Sequence, residues 1–92
     1  MIFEVTQQNG KIIVTNRSDK TVTVREIRLT IETTVITPEE KLSIRKITDE
    51  MKIESRLKPN DRIEIKTYYT NVVSVSVVYE LEGVVEREDH EL

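Results

Sequence analysis

The residues most able to do chemistry in this chain are its carboxylates, since 17 of its 92 residues are Asp or Glu. Two carboxylates held near each other can divide the roles of general acid and general base. Glu80 and Glu82 share one face of a predicted strand, and Glu39 and Glu40 are adjacent in sequence. Neither pair has apolar neighbours that would form a pocket, so we interpret both pairs as solvated surface acids.

The other groups that support catalysis or metal binding are absent or isolated. With no cysteine and one histidine, His90, the chain has no thiol nucleophile and no set of zinc ligands. Its two glycines are too few for a phosphate-binding loop. Glu86, Glu88, Asp89 and His90 offer oxygen and imidazole ligands but lack the Gly-bent loop of a calcium site. The sequence therefore predicts no catalytic residue, no metal site and no cofactor, and hence no enzyme.

Charge is distributed unevenly along the chain. The net charge is −3, and residues 86–92 carry all of it, with four acids and one base. Proteins that bind the phosphate backbone use an excess of Lys and Arg, so nucleic acid is not the favoured partner. However, residues 41–66 hold eight cations against five acids and are followed by Tyr68 and Tyr69. A basic sheet face with an exposed aromatic residue can hold single strands, and a nucleic-acid-associated β-domain is therefore the alternative function.

The elements that position these groups are predicted to be strands. Val, Ile and Thr together supply 34 residues, whereas Ala is absent and Leu occurs five times. Branched side chains pack well on a pleated sheet, while Ala and Leu favour helices. We predict an all-β fold, a single antiparallel β-sandwich of about seven strands over residues 1–85, with an acidic C-terminal tail over residues 86–92. The high content of charged residues, 34%, is also typical of proteins from hot environments.

Two local features are predicted from turn chemistry and alternation. The dipeptide Asn9-Gly10 tolerates the positive φ of a two-residue hairpin turn, which would set Val5 opposite Val14. In the next strand the apolar residues change from even to odd positions after Val24. Because side chains alternate strictly along a strand, we predict a bulge or a bend at residues 25–26.

The segment 37–50 carries conflicting signals. It begins with the order Thr-Pro-Glu-Glu, which starts many helices, but Leu42 and Ile44 alternate as they would in a strand. The preferred interpretation is one helical turn at 38–41 followed by a short strand. The alternative is a short helix near 38–48.

Residues 51–69 are predicted to form a hairpin with a three-residue loop at 59–61. This register pairs Leu57 with Ile63, and it also places Arg56 opposite Glu64. Opposite charges across a ladder contribute about 0.2–1 kcal/mol each, so the charged and the apolar residues favour the same register.

Three stretches of the sequence resemble immunoglobulin-like β-sandwiches, particularly the cell-adhesion-type modules common in archaea and bacteria. In the first, a valine, an Asn and a small polar turn precede two further valines: Val14-Thr15-Asn16-Arg17-Ser18-Asp19-Lys20-Thr21-Val22-Thr23-Val24. The second is the turn Leu57-Lys58-Pro59-Asn60-Asp61, and the third is the strand at residues 73–83. The resemblance implies a sandwich with a scaffold or binding role, and it supplies no catalytic residues.

These observations predict a non-enzymatic protein that acts through protein–protein contacts, as a subunit, an adaptor or a homo-oligomer. The candidate contact residues are apolar side chains on mixed strand faces and one exposed aromatic residue: Ile13, Tyr68, Val72 and Val78. No apolar stretch is long enough to span a membrane and the first residues resemble no secretory signal, so a cytoplasmic location is expected.

Overall fold

A computed structural model describes all residues 1–92 and contains seven strands and no helix. The strands form two antiparallel sheets, with the orders β1-β2-β5 and β4-β3-β6-β7, and together these make a β-sandwich. The predicted all-β class and strand number are confirmed. The strands are β1 (Phe3–Gln8), β2 (Lys11–Asn16), β3 (Val22–Ile36), β4 (Leu42–Leu57), β5 (Arg62–Lys66), β6 (Val72–Leu81) and β7 (Val84–Glu91).

The core between the two sheets is made almost entirely of branched and aromatic side chains. Phe3 of β1 meets Tyr79 of β6 edge to face, with ring centroids 5.2 Å apart, a geometry that aromatic pairs prefer. Alternation places the other strand faces toward solvent. The buried apolar residues are Phe3, Ile12, Val14, Val22, Val24, Ile27, Leu29, Ile31, Leu57, Ile65, Val72, Val75, Val77 and Tyr79.

Both features predicted from local chemistry are confirmed. Asn9 and Gly10 have φ values of 50° and 75°, and Val5 lies opposite Val14. The register of β3 shifts between Val24 and Glu26 against both of its neighbours, β4 and β6. This bulge returns the odd-numbered apolar residues of β3 to the core face.

The predicted helical turn at 38–41 and the alternative helix near 38–48 are wrong, whereas the strand predicted after residue 41 is confirmed, because β4 begins at Leu42. Thr37 and Lys41 close a tight turn, in which the Thr37 N–H donates to the Lys41 carbonyl at 2.9 Å. Glu40 has a φ of 58°, which no α-helix can continue, and the Lys41 N–H donates to the Thr37 hydroxyl. Ile36 and Leu42 then pair across the turn, so that β3 and β4 form one long hairpin.

The predicted hairpin over residues 51–69 is also wrong, because β4 and β5 belong to different sheets. Leu57 pairs with Val22, and Ile63 pairs with Val14. The turn itself exists, and Asn16 holds it through two backbone hydrogen bonds, from Asn16 N to the Asp61 carbonyl and from Asn60 N to the Asn16 carbonyl. Both apolar faces point to the core, as expected, but from opposite sheets.

The predicted tail over residues 86–92 is largely strand. β7 continues across the expected boundary at residue 85 and pairs with β6 from Leu81↔Val84 to Ser74↔Glu91. An edge strand needs only one hydrogen-bonded neighbour, so a charged sequence can occupy it without burying every side chain.

The β3–β4 hairpin extends beyond the rest of its sheet. β6 accompanies β3 only as far as Ile31, after which Glu32 N donates to the Asn71 carbonyl at 3.1 Å. Residues 32–46 therefore form a two-stranded projection, which we call the arm. It contributes to an elongated shape of 52 × 27 × 20 Å.

Candidate protein-interaction surface

The arm carries the largest group of exposed apolar side chains outside the chain termini. Ile36, Leu42 and Ile44 are 75%, 75% and 69% exposed. Ile36 lies opposite Leu42, and Ile44 lies opposite Thr34 on the same face of the hairpin. Scattered apolar residues are common on protein surfaces, whereas a contiguous group is typical of a binding site.

The same arm presents an unpaired backbone edge. β4 is the terminal strand of the four-stranded sheet and has 16 residues, so its outer row of N–H and C=O groups has no strand beside it. Natural proteins protect such edges with short strands, bulges or charges. The irregularity in β4 lies at Ile53–Glu54, where Glu54 has a φ of 50°, and it leaves the strand regular from Leu42 to Lys52.

A groove of about 340 Å³ lies at the base of the arm. Ile31 and Ile47 form part of its floor, and the loop residues Tyr68 and Tyr69 form part of its wall. The Tyr69 hydroxyl donates to Asp49 Oδ2 at 3.2 Å, and this hydrogen bond to a carboxylate raises the pKa of Tyr69. The loop is thereby attached to β4, while Tyr68 stays 94% exposed.

Several charges of the sandwich body pair with one another. Arg25 bonds Glu80 and lies 3.6 Å from Glu54, and Arg28 lies 3.1 Å from Glu26. These carboxylates raise the pKa of both guanidinium groups. Arg45 and Lys46 make no salt bridge, and neither do Lys52 and Arg56 farther along β4.

The basic stretch at 41–66 does not form one continuous face. Its first part lies in β4 and its last part in β5, and these strands belong to opposite sheets. Within β5, Arg62 lies 3.5 Å from Glu64, which also lies 3.6 Å from Lys11. This arrangement weakens the case for a nucleic-acid surface.

The predicted contact residues are not brought together. Val72 is only 6% exposed and belongs to the core, so its assignment to an outer face is wrong. The reason is a second register shift: Ser74 pairs with Thr30 but Val72 pairs with Ile31, so Val73 is an extra residue that reverses the alternation. Val78 is half-buried between Glu26 and Arg87 on the four-stranded sheet.

The other two predicted contact residues also lie apart. Ile13 is half-buried on the three-stranded sheet, between Thr6 and Glu64. Tyr68 alone lies near the arm. The sequence analysis did not select Ile36, Leu42 and Ile44, because the helical turn predicted at 38–41 gave no pairing between β3 and β4 that would place these residues on one face.

A second cluster of ionisable groups lies on β7. Both oxygens of Glu88 accept backbone N–H groups from the start of the chain, Ile2 at 2.9 Å and Phe3 at 3.0 Å. His90 Nε2 lies 2.7 Å from Glu88 Oε1. Because the carboxylate is occupied by the edge of β1 and no cavity adjoins it, we interpret the cluster as a connection between the sheets.

Beside this cluster, Tyr79 gives a testable pH dependence. Burial and a 3.0 Å hydrogen bond from its hydroxyl to Glu86 raise the pKa of Tyr79 to about 12. An unfolded tyrosine ionises near pH 10, so the stability that comes from the neutral phenol is complete below pH 10 and is lost as the pH rises through about 12. Between about pH 9 and pH 11.5, the wild type should lose about 2 kcal/mol more unfolding free energy than Tyr79→Phe. Denaturant titrations of both proteins measure this difference, and parallel pH profiles would contradict the assignment.

No group of three or more His, Asp or Glu side chains is placed to hold a metal ion. The structure contains no helix long and apolar enough to cross a membrane. No protein-family model matches the chain, and no curated protein or solved structure matches it. A function can therefore be inferred only from the residues and the surface of this chain.

Proposed function

We propose that this protein is a non-enzymatic β-sandwich that acts through protein–protein contacts, and that the arm makes those contacts. The observation that carries the proposal is the coincidence of three exposed apolar side chains with an open strand edge. Ile36, Leu42 and Ile44 lie on a hairpin whose outer backbone groups are unpaired. A partner strand can take its affinity from the backbone edge and its specificity from the alternating side chains.

An immunoglobulin-like sandwich is part of the same proposal. The strand order supports it, because β1, β2 and β5 share one sheet while β3, β6 and β7 share the other. Strands A, B, E and C, F, G of immunoglobulin domains are divided in this way. Here the fourth strand, β4, joins β3, and this position makes β4 the edge strand of its sheet and one of the two strands of the arm.

A photo-reactive residue placed on the arm tests the proposal. With benzoyl-phenylalanine in place of Ile44, irradiation in the host cell should give a discrete covalent adduct, identified by mass spectrometry. The matched control carries the same residue at Asp19, which is exposed in the turn before β3, at the end of the sandwich away from the arm. Leu42→Asp added to the Ile44 probe should reduce the adduct at least about fivefold without changing the thermal midpoint, since Leu42 is 75% exposed. Equal adduct formation from both probe positions would contradict the proposal.

A further inference from the structure

The exposed edge of β4 has a charge pattern that matches itself in reverse. Six consecutive residues at the junction of the arm and the body read Arg45-Lys46-Ile47-Thr48-Asp49-Glu50, which is two cations, two uncharged residues and two acids. Reversing the direction of this segment exchanges the cations with the acids. Two copies that run antiparallel would therefore place unlike charges together.

The geometry of an antiparallel ladder permits only certain registers. Residues directly opposite each other lie on the same face of the sheet, so a two-fold axis passes through one residue and its own copy. With the axis at Ile47, Arg45 lies opposite Asp49 of the second copy, and Lys46 lies diagonally across from Glu50. With the axis at Thr48, Lys46 lies opposite Glu50, and Arg45 is diagonal to Asp49. In both registers, opposite charges are close enough to stabilise the ladder.

The neighbouring registers are disfavoured by like charges. An axis at Lys46 or at Arg45 places that cation against its own copy. An axis at Asp49 or at Glu50 places two carboxylates together. Like charges directly opposite destabilise a ladder, so among the six axes within this segment the pattern selects the two central ones.

Within one copy, these charges are only partly compensated. Arg45 and Lys46 make no salt bridge, whereas Asp49 accepts the Tyr69 hydroxyl and Glu50 lies 3.8 Å from Arg28. Ile47 is 51% exposed and would meet its own copy at or next to the axis. In either register, the arm residues of β4 in one copy would also pair with the residues of β4 that lie in the sandwich body of the other copy.

We propose that two copies of this chain associate through the edges of β4, antiparallel, with the two-fold axis at Ile47 or Thr48. The two four-stranded sheets become one sheet of eight strands. The inference rests on the proposed function, because it identifies the partner of the arm as a second copy. The β4 charges restrict the pairing to these two registers, and the open backbone edge supplies the hydrogen bonds.

Exchange of the charge blocks tests this pairing. Arg45→Glu with Lys46→Glu makes the segment wholly acidic, and Asp49→Lys with Glu50→Lys makes it wholly basic. Sedimentation velocity should show a concentration-dependent dimer for the wild type and at least a tenfold weaker dimer for each variant alone. An equimolar mixture of the two variants should form a heterodimer. A wild type that stays monomeric at millimolar concentration, or variants that associate as the wild type does, would overturn the proposal.

Cysteine cross-linking gives a second test, which remains valid even if the charge variants do not fold normally. The chain has no cysteine of its own, so single substitutions give unambiguous disulfides. Ile47→Cys or Thr48→Cys should cross-link on mild oxidation, because opposite Cα atoms about 4.5–5.5 Å apart are within disulfide reach. The control Arg56→Cys lies on the same edge, but its two copies would be more than about 50 Å apart. Cross-linking at 56 equal to that at 47 and 48, or none at 47 and 48, would contradict the β4 pairing.

These outcomes separate the inference from the proposed function. A monomeric wild type whose arm probe at Ile44 still gives an adduct with a different protein overturns self-association and supports the proposed function. Absence of any arm adduct together with a monomeric wild type overturns both.

Discussion

Truncation of the chain after Val85 is expected to lower the thermal midpoint by at least about 16 °C. The deletion removes six of the eight residue pairs that join β7 to β6. It also removes Glu88, whose carboxylate accepts the N–H groups of Ile2 and Phe3. Each lost hydrogen bond costs about 1 kcal/mol net, and 1 kcal/mol corresponds to about 4–8 °C in a domain of this size. A total loss of at least about 4 kcal/mol follows, measured by calorimetry or circular dichroism.

Removal of Leu92 alone is the matched control for the truncation. Its backbone N–H donates one bond, to the Val73 carbonyl at 2.9 Å, so its loss should lower the midpoint by less than about 8 °C. If truncation after Val85 changes the midpoint no more than this control does, β7 contributes little to the fold, and residues 86–92 behave as the acidic tail predicted from the sequence.

The features that could be predicted from the sequence are those decided by neighbouring residues. The turn at Asn9 and Gly10 depends on which residues tolerate a positive φ. The bulge near Arg25 follows from a change of alternation within a single strand. Such signals lie within a few residues of the structure that they determine, so sequence patterns identify them directly.

Strand partners could not be predicted in this way. Alternation shows that Leu57 and Ile63 both face the core, but it does not show to which sheet each residue belongs. The choice depends on contacts distant in sequence, such as those of Asn16 with the turn at Asn60. Strand β7 was missed for a related reason, because pairing with β6 and the contact of Glu88 with β1 outweigh its charged composition.

The contact surface was misplaced because single irregularities reverse the facing of a strand. Alternation continued back from Val78 assigns Val72 to the outer face, but the extra residue Val73 turns it into the core. On the arm, a helical turn was predicted where the chain makes a tight hairpin turn, so the pairing of Ile36 with Leu42 was not predicted. Each error depends on the backbone conformation of a single residue, Val73 in β6 and Glu40 in the turn of the arm. The amino-acid composition does not predict such local conformations.

The second large effect is expected from Asn16→Ala, which should destabilise the fold by about 3 kcal/mol. The Asn16 side chain is fully buried and connects three segments. Its amide donates to the Lys20 carbonyl at 2.8 Å and to the Leu57 carbonyl at 3.1 Å, and its oxygen accepts the N–H and hydroxyl of Ser18. Loss of the amide leaves the buried Leu57 carbonyl without its donor and removes the partly buried bonds to Lys20 and Ser18, and an unsatisfied buried group costs about 1–3 kcal/mol. Denaturant unfolding at neutral pH measures the change.

Two further variants separate the hydrogen bonds of Asn16 from its volume. Asn71→Ala removes an exposed amide that donates one bond, to the Glu32 carbonyl at 3.1 Å, and should cost less than about 1 kcal/mol. Asn16→Asp keeps the size of the side chain but replaces the donor with an oxygen that faces two carbonyls, so it should destabilise at least as much as Asn16→Ala. If Asn16→Asp is instead close to wild type, the site is filled by shape rather than by hydrogen bonding. If Asn16→Asp is as destabilising as expected, the hydrogen bonds of the Asn16 amide connect the end of β2 to the segment that joins β4 and β5. Because that segment passes from one sheet to the other, the amide then stabilises the contact between the two sheets at this end of the sandwich.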